Sequence, residues 1–254
     1  MNIGLVFAGG IGSRMNSKEK PKQFLEIYKK PIIIHTLEYF QENTEIDAVV
    51  VVCVADWIDY LNELLKKFNI TKVKAVVSGG KTGQLSIYNG LVECEKLSTS
   101  SKDIVLIHDG VRPLITKQLL SDNIHSVKKF GSCITSGIVK ETIVEINDDN
   151  YIKNIPDRNG CRVAKAPQSF YLEDILKSHK KALAINKTDF IDSCSMMKYY
   201  GYNLHMIDGP YENIKITTPD DFYTMRSILQ AKEDAQIIYI DKKSGGGILA
   251  KIPA

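Results

Sequence analysis

The chain has 254 residues, 44% of them hydrophobic and 25% charged, and a formal net charge of +3. That is the profile of a folded, soluble protein with one generous core, or a domain with an appendage. The charge is too small to point to nucleic acid, and no apolar run approaches the roughly 18 residues that span a bilayer.

Five scattered cysteines without a C-x-x-C pair read as reduced thiols used mostly for packing. The expectation is a cytoplasmic protein without a targeting segment, without a membrane or nucleic-acid partner.

The first predicted strand is Ile3–Ala8, an apolar run that feeds Ala8-Gly9-Gly10-Ile11-Gly12-Ser13-Arg14-Met15 and then Lys20-Pro21-Lys22-Gln23-Phe24. Glycines let backbone N–H groups approach phosphate oxygens, and Arg14 and Lys22 supply countercharge, so this turn is a candidate polyphosphate cradle. It is neither a dinucleotide fingerprint, since Met15 stands where the third glycine belongs, nor a P-loop.

Helical patterns at Ile33–Gln41, Trp57–Phe68 and Gln84–Leu97 alternate with β-branched runs at Ala48–Val54, Val73–Ser78 and Asp103–His108. That order predicts a doubly wound, mostly parallel α/β sheet. Ligands bind such sheets at the carboxyl ends of the strands, so the glycine turn, Gly79-Gly80 and His108-Asp109-Gly110 are expected to converge on one crevice.

Gly79-Gly80-Lys81-Thr82 imitates the end of a P-loop, but Ala75 stands where the first glycine is needed. This turn, with Ser86, is read as holding another part of a nucleotide, or as a polar helix cap. Asp109 is the carboxylate best placed to hold Mg²⁺; the competing reading is a structural ion pair with Arg112.

Ile134–Ile155, with Ile138, Thr142, Val144 and Ile146 roughly alternating before the turn at 147–150, predicts a protruding β-hairpin in an arm over about 136–160. Arg158 and Arg162 beyond it are candidates for a second phosphate. Helices follow at Leu172–Leu183 and Ile191–Tyr199. A last one runs from Pro219 to about Lys232, with Thr217 or Thr218 as its cap. Residues 1–236 are read as one domain and 237–254 as a flexible tail. His108 is read as a packing residue.

Taken in order over residues 3–221, Ala-Gly-Gly-x-Gly-x-Arg-Met, Pro-Lys-Gln-Phe, Gly-Gly, His-Asp-Gly-Val-Arg-Pro, Ala-Pro-Gln-Ser-Phe and Asn-Ile-Lys-Ile-Thr-Thr-Pro-Asp-Asp resemble a known family. It is the cytidylyltransferases that act on sugar-alcohol phosphates, which include the 2-C-methylerythritol 4-phosphate and ribitol 5-phosphate enzymes.

The resemblance implies a Rossmann-like homodimer whose β-arms embrace. It also implies reaction of CTP with a polyol phosphate, helped by Mg²⁺, with loss of pyrophosphate. By position, Arg14, Lys22 and Lys215 match catalytic cations. Ala8, Gly10 and Gly12 match the triphosphate loop, while Gly80, Ser86 and Gly110 match cytidine-holding residues. Asp109 matches the metal and ribose region. Arg112, Thr142 and Arg158 match groups that hold the polyol phosphate, the last two from the partner's arm, and Asp192 aligns beside them.

Gly83 stands where relatives usually carry arginine. Lys140-Glu141-Thr142 and Ile191-Asp192-Ser193 lean towards ribitol 5-phosphate rather than methylerythritol 4-phosphate as acceptor. Teichoic acid, capsule and isoprenoid synthesis remain open as pathways. A P-loop ATPase or kinase and a non-catalytic nucleotide sensor are the alternatives from other classes.

Overall fold

Continuous β-branched runs bury both faces of a strand, and here they build the middle of one sheet. A computed structural model describes residues 1–10 and 20–243. Its elements are β1 Asn2–Ala8, β2 Glu26–Ile27, β3 Lys30–Pro31, α1 Ile32–Glu42, β4 Ala48–Cys53, α2 Ile58–Lys67, β5 Val73–Ser78, α3 Gly83–Leu97, β6 Ile104–Asp109 and α4 Lys117–Phe130. Then come β7 Ser132–Ile138, β8 Glu145–Ile146, β9 Ile152–Asn154, β10 Arg162–Tyr171, α5 Leu172–Ala184, α6 Ser193–Tyr199, β11 Met206–Asp208 and α7 Pro219–Lys243.

The main sheet has strand order β11-β7-β10-β6-β1-β4-β5. β1 pairs in parallel with β4 on one side and β6 on the other, the point where the winding reverses. β10 is the antiparallel member, between β6 and β7. Helices cover both faces. Ile33, Leu37 and Phe40 of α1 pack with Leu61 of α2 and Leu120 and Ile124 of α4 on one face. Ile87 and Leu91 of α3 pack with Ile175 of α5 and Met196 of α6 on the other. Among the described residues no helix is long and apolar enough to cross a membrane.

The structure corrects the reading of Ile134–Ile155 as one hairpin. β7 belongs to the main sheet, and only β8 and β9 form a separate two-stranded ladder around the turn at Asn147–Asn150. β7 hides this because it is built of small polar residues, and their groups are paired internally. Asn123 Nδ2 donates to Thr135 Oγ1 at 3.1 Å, and Ser136 Oγ donates to the Ile207 carbonyl at 3.0 Å.

α6 starts at Ser193 rather than Ile191, because Asp192 caps it by accepting from Ser195 N at 2.8 Å while Ile191 lies 95% exposed. Thr218 directly precedes α7, its carbonyl accepting from Phe222 N at 3.4 Å, and Asp221 inside the helix reaches back to it. The Asp221 carboxylate accepts from the N–H groups of Thr217 and Thr218 at 2.8 and 2.7 Å. α7 continues to Lys243, beyond the expected end near Lys232. Of the stretch read as a tail, 237–243 is therefore helical, and 244–254 lies outside the described residues.

All five cysteines are free thiols. Burial raises Cys53 and Cys133 to about 11, which fits packing rather than nucleophilic chemistry.

Candidate active site

Three loops meet at the carboxyl ends of β1, β5 and β6, as the parallel winding requires. The first is anchored by Gln23, which is 1% exposed; its Nε2 donates to the Ala8 carbonyl at 2.7 Å and to the Gly10 carbonyl at 3.3 Å. Phe24 beside it stacks on Trp57 with ring centroids 5.0 Å apart. The short 3-10 turn Lys22–Phe24 is thus fixed against the end of β1. Lys22 is half-buried on that turn; burial raises the pKa of nearby Asp221, but hydrogen bonds from Thr218 and Thr217 outweigh it and the Lys22 charge adds to the lowering. Gly10 is exposed and Ala8 buried, while Gly12 and Arg14 lie outside the described residues.

The second loop is held by Ser86. Its Oγ accepts from Gly80 N at 3.0 Å and donates to the Thr82 carbonyl at 2.9 Å. A Cβ on Gly80 would stand 2.6 Å from Leu85 Cβ, so the turn closes only on glycine. Thr82 Oγ1 accepts from Leu85 N as the N-cap of α3. That is the capping role weighed for this segment, not a P-loop. Gly83 has open space where a Cβ would stand.

Asp109 ends β6 and carries the site's main ion pairs. Oδ1 lies 2.6 Å from Lys215 Nζ and Oδ2 lies 2.8 Å from Arg112 Nε. Burial raises the carboxyl's pKa, but the Lys215 ammonium and then the Arg112 guanidinium outweigh it and hold the group below its ordinary value. Asp109 is therefore an ionised, buried carboxylate. The Arg112 pairing weighed as its structural role is present, and Lys215 joins it from a remote segment. Gly110 follows, its carbonyl accepting from Thr36 Oγ1 at 3.0 Å.

The Lys215 segment is tied down by Asn213, which is fully buried. Asn213 Nδ2 donates to the Ala166 carbonyl at 2.7 Å, and its own carbonyl accepts from Arg112 at 3.1 Å. Ile216 N adds a bond to the Val111 carbonyl at 2.9 Å.

A cleft of about 310 Å³ opens beside these groups, lined by Asp109, Arg112, Lys165, Gln168, Asp192 and Lys215 among others. Asp192 caps α6 with one oxygen and accepts from Gln168 Nε2 at 2.9 Å with the other. Thr142 and Arg158 do not line it. Both are exposed, and Arg158 donates to the Lys140 carbonyl at 2.9 Å.

Sequence reasoning named the ionic groups but missed Gln23, Gln168, Asn213 and Lys165. The first three act through amide hydrogen bonds to backbone and carboxylate, which hydropathy does not report. The signal available for Gln23 and Gln168 was their place inside the motifs themselves.

His108 behaves as a packing residue, fully buried with Nε2 donating to the Arg112 carbonyl at 3.0 Å. Burial pushes His108 and His179 down to about 4 and lowers His35 as well. Between those folded values and the unfolded value of about 6.5, the unfolded chain binds more protons. Stability is therefore present near neutral pH and falls as pH drops through that window. Thermal melts from pH 7 to 4.5 should show a loss of about 2–3 kcal/mol for each of the two most buried rings. His179→Leu should flatten the slope by its share. An unchanged slope in that variant would count against this assignment.

The model of the family described as IspD: 2-C-methyl-D-erythritol 4-phosphate cytidylyltransferase matches residues 3–231. The chain belongs to the IspD cytidylyltransferase family. Within it, the chain is 56% identical to Ribitol-5-phosphate cytidylyltransferase of Streptococcus agalactiae serotype Ia, over 93% of this chain and 99% of that one. It is 40% identical to 2-C-methyl-D-erythritol 4-phosphate cytidylyltransferase of Clostridium novyi, over 90% and 96% of the two chains.

The fold agrees. The crystal structure of 4-diphosphocytidyl-2C-methyl-D-erythritol synthase from Anaerococcus prevotii superposes with a TM-score of 0.78 at 28% identity, covering 90% of this chain and 96% of that one. The expected doubly wound, mostly parallel nucleotidyltransferase fold is thus borne out. So is the resemblance read from the ordered motifs.

Proposed function

We propose that this IspD-family enzyme transfers the cytidylyl group of CTP to D-ribitol 5-phosphate, giving CDP-ribitol and pyrophosphate. The observation that carries the acceptor is the 56% identity to a ribitol-5-phosphate enzyme, against 40% to a methylerythritol-phosphate enzyme. In this reading an oxygen of the acceptor's phosphate attacks the α-phosphorus of CTP in line. A bond forms there, the bond from that phosphorus to the bridging oxygen breaks, and the electron pair leaves with pyrophosphate.

A phosphate monoester is already nucleophilic near neutral pH, so positioning and charge neutralisation supply the catalysis. Lys22, Arg14 and Lys215 are assigned to the reacting phosphates. Ala8, Gly10 and Gly12 are assigned to the triphosphate, and Gly80, Ser86 and Gly110 to the cytidine. Arg112 and Asp192 are assigned to the acceptor.

The donor chemistry fits Mg²⁺ arriving with the triphosphate. Asp109 is ionised, and each of its oxygens is engaged by one cation and keeps a further lone pair. Mg²⁺ is commonly held by one or two carboxylates with substrate phosphates supplying more ligands. Such an ion would neutralise charge on the departing pyrophosphate.

A second copy of the chain is the proposed neighbour of the hairpin. Ile146, Tyr151, Ile152 and Ile155 are 56–73% exposed there, an apolar patch suited to burial against an identical one. In such a dimer Thr142 and Arg158 would reach the partner's acceptor site. Five free thiols suit a reducing cytoplasm.

Pyrophosphate release with CTP and Mg²⁺ against a panel of polyol phosphates tests the reading. The expected result is a kcat/KM for ribitol 5-phosphate at least about tenfold above that for methylerythritol 4-phosphate. The reverse order would reassign the acceptor, and turnover of ATP without pyrophosphate release would refute the reaction class.

A further inference from the structure

We propose that Lys165 is an acceptor-recognition residue: with Arg112 it forms a cationic wall that takes the phosphate monoester of the polyol. This deepens the cytidylyltransferase reading and rests on it.

The order of strands separates the two substrates. The glycine turn follows β1 and Gly80 follows β5, so the nucleotide elements lie from β1 outward to β5. Asp109 with Lys215 sits at β6. Lys165 lies on β10, on the other side of β6. Because β10 runs antiparallel and pairs Gln168 with Ile107, the residues before Gln168 project past the carboxyl end of β6. Lys165 therefore reaches the crevice on the side away from the nucleotide elements.

The chain is built to deliver it there. β10 pairs Ala164 with Ser136 and Gln168 with Ile134, so the stretch between them is longer on β10 than on β7. Such irregularities re-aim side chains next to active sites. The stem then crosses Gly137: a Cβ at that position would stand 2.7 Å from Lys165 Cε and 3.2 Å from Nζ. Only a residue without a side chain leaves that path clear.

The charges leave Lys165 without a fixed countercharge. Asp109 is held by Lys215 and Arg112, and Asp192 by the start of α6 and Gln168. Among the described residues no carboxylate lies within ion-pair distance of Lys165. Its ammonium donates to the Tyr211 carbonyl at 3.2 Å and lies 5.8 Å from the Tyr211 ring centroid, a ring that Lys140 approaches more closely at 3.4 Å. Burial and then the Arg112 charge lower the Lys165 pKa, with Glu212 opposing them. Two cations facing one cleft, one of them lacking a carboxylate, form a site for a dianion.

Kinetics and calorimetry on the full chain test this. Lys165→Gln should raise KM for ribitol 5-phosphate, and its calorimetric Kd, by about tenfold to a hundredfold. KM for CTP should stay within about twofold. Gly137→Ala should reproduce the split without removing a charge, because its new methyl displaces only the end of a flexible side chain. Lys165→Arg should recover part of the affinity. An unchanged acceptor KM in both Lys165→Gln and Gly137→Ala, or equal rises for both substrates, would overturn the proposal. A wild-type protein that neither binds nor uses ribitol 5-phosphate would instead overturn the acceptor reading itself, and this one with it.

Discussion

Replacing Lys215 by methionine is expected to lower kcat by about 10²–10³ while changing stability by less than about 1 kcal/mol. The two halves of that expectation come from different features. Lys215 Nζ is 2.6 Å from Asp109 Oδ1, yet its side chain is 41% exposed, so its departure opens no core cavity. Asp109 keeps Arg112 at 2.8 Å and is not left as an unpaired buried charge. Folding therefore loses little.

The reaction loses more. Lys215 is the cation that comes to Asp109 from a distant segment and is fixed there by Asn213 and Ile216. Charge that develops on the reacting phosphate is best stabilised by a group already aligned, and methionine keeps the bulk but not the charge. Measured with saturating CTP and acceptor, the loss should appear in kcat more than in either KM. A variant that turned over within about threefold of wild type would remove Lys215 from the chemistry.

The middle of the sheet was legible in the sequence because hydropathy and position agreed there. The apolar runs Ile3–Ala8, Ala48–Val54 and Asp103–His108 supply β1, β4 and β6, three adjacent inner strands of the main sheet. The side of the sheet beyond β6, made of β10, β7 and β11, was not legible. β7 is buried yet polar, and its hydroxyls are satisfied by Asn123 and by the Ile207 carbonyl. The pattern therefore put the strand starting at Ile134 into a protruding hairpin, whereas β7 is a buried strand of the main sheet.

The site divides along the same line. Asp109 was visible because a carboxylate just after an apolar strand sits at a crevice by construction, and Arg112 lies within its turn. That Lys215 joins them depends on a contact between residues more than a hundred positions apart, which only the family motifs indicated. Gln23 and Asn213 hold backbone carbonyls, and nothing in their neighbours' hydropathy marks them. Lys165 depends on Gly137 across a strand pair, a relation that exists only after the register is known.

Asp109→Asn is expected to cost about 3 kcal/mol in stability at pH 7 and to reduce activity by more than about a hundredfold. The substitution keeps the shape and removes the charge. Arg112, 13% exposed, and Lys215 then face each other without the anion between them. Removing the anion leaves Arg112, the buried cation of the two, desolvated and without its carboxylate, which is the costly case.

The pH dependence gives a second check. Asp109's folded pKa lies below the ordinary carboxylate value, so its contribution is present above about pH 4 and is lost as pH falls through the folded value. The wild type and Asp109→Asn should therefore converge in urea stability at strongly acid pH and differ most near neutrality. Asp109→Asn combined with Lys215→Met relieves part of the cation–cation repulsion. The double variant should be more stable than Asp109→Asn alone, while remaining as inactive. Additive losses in that cycle would mean that the two residues do not share one electrostatic unit.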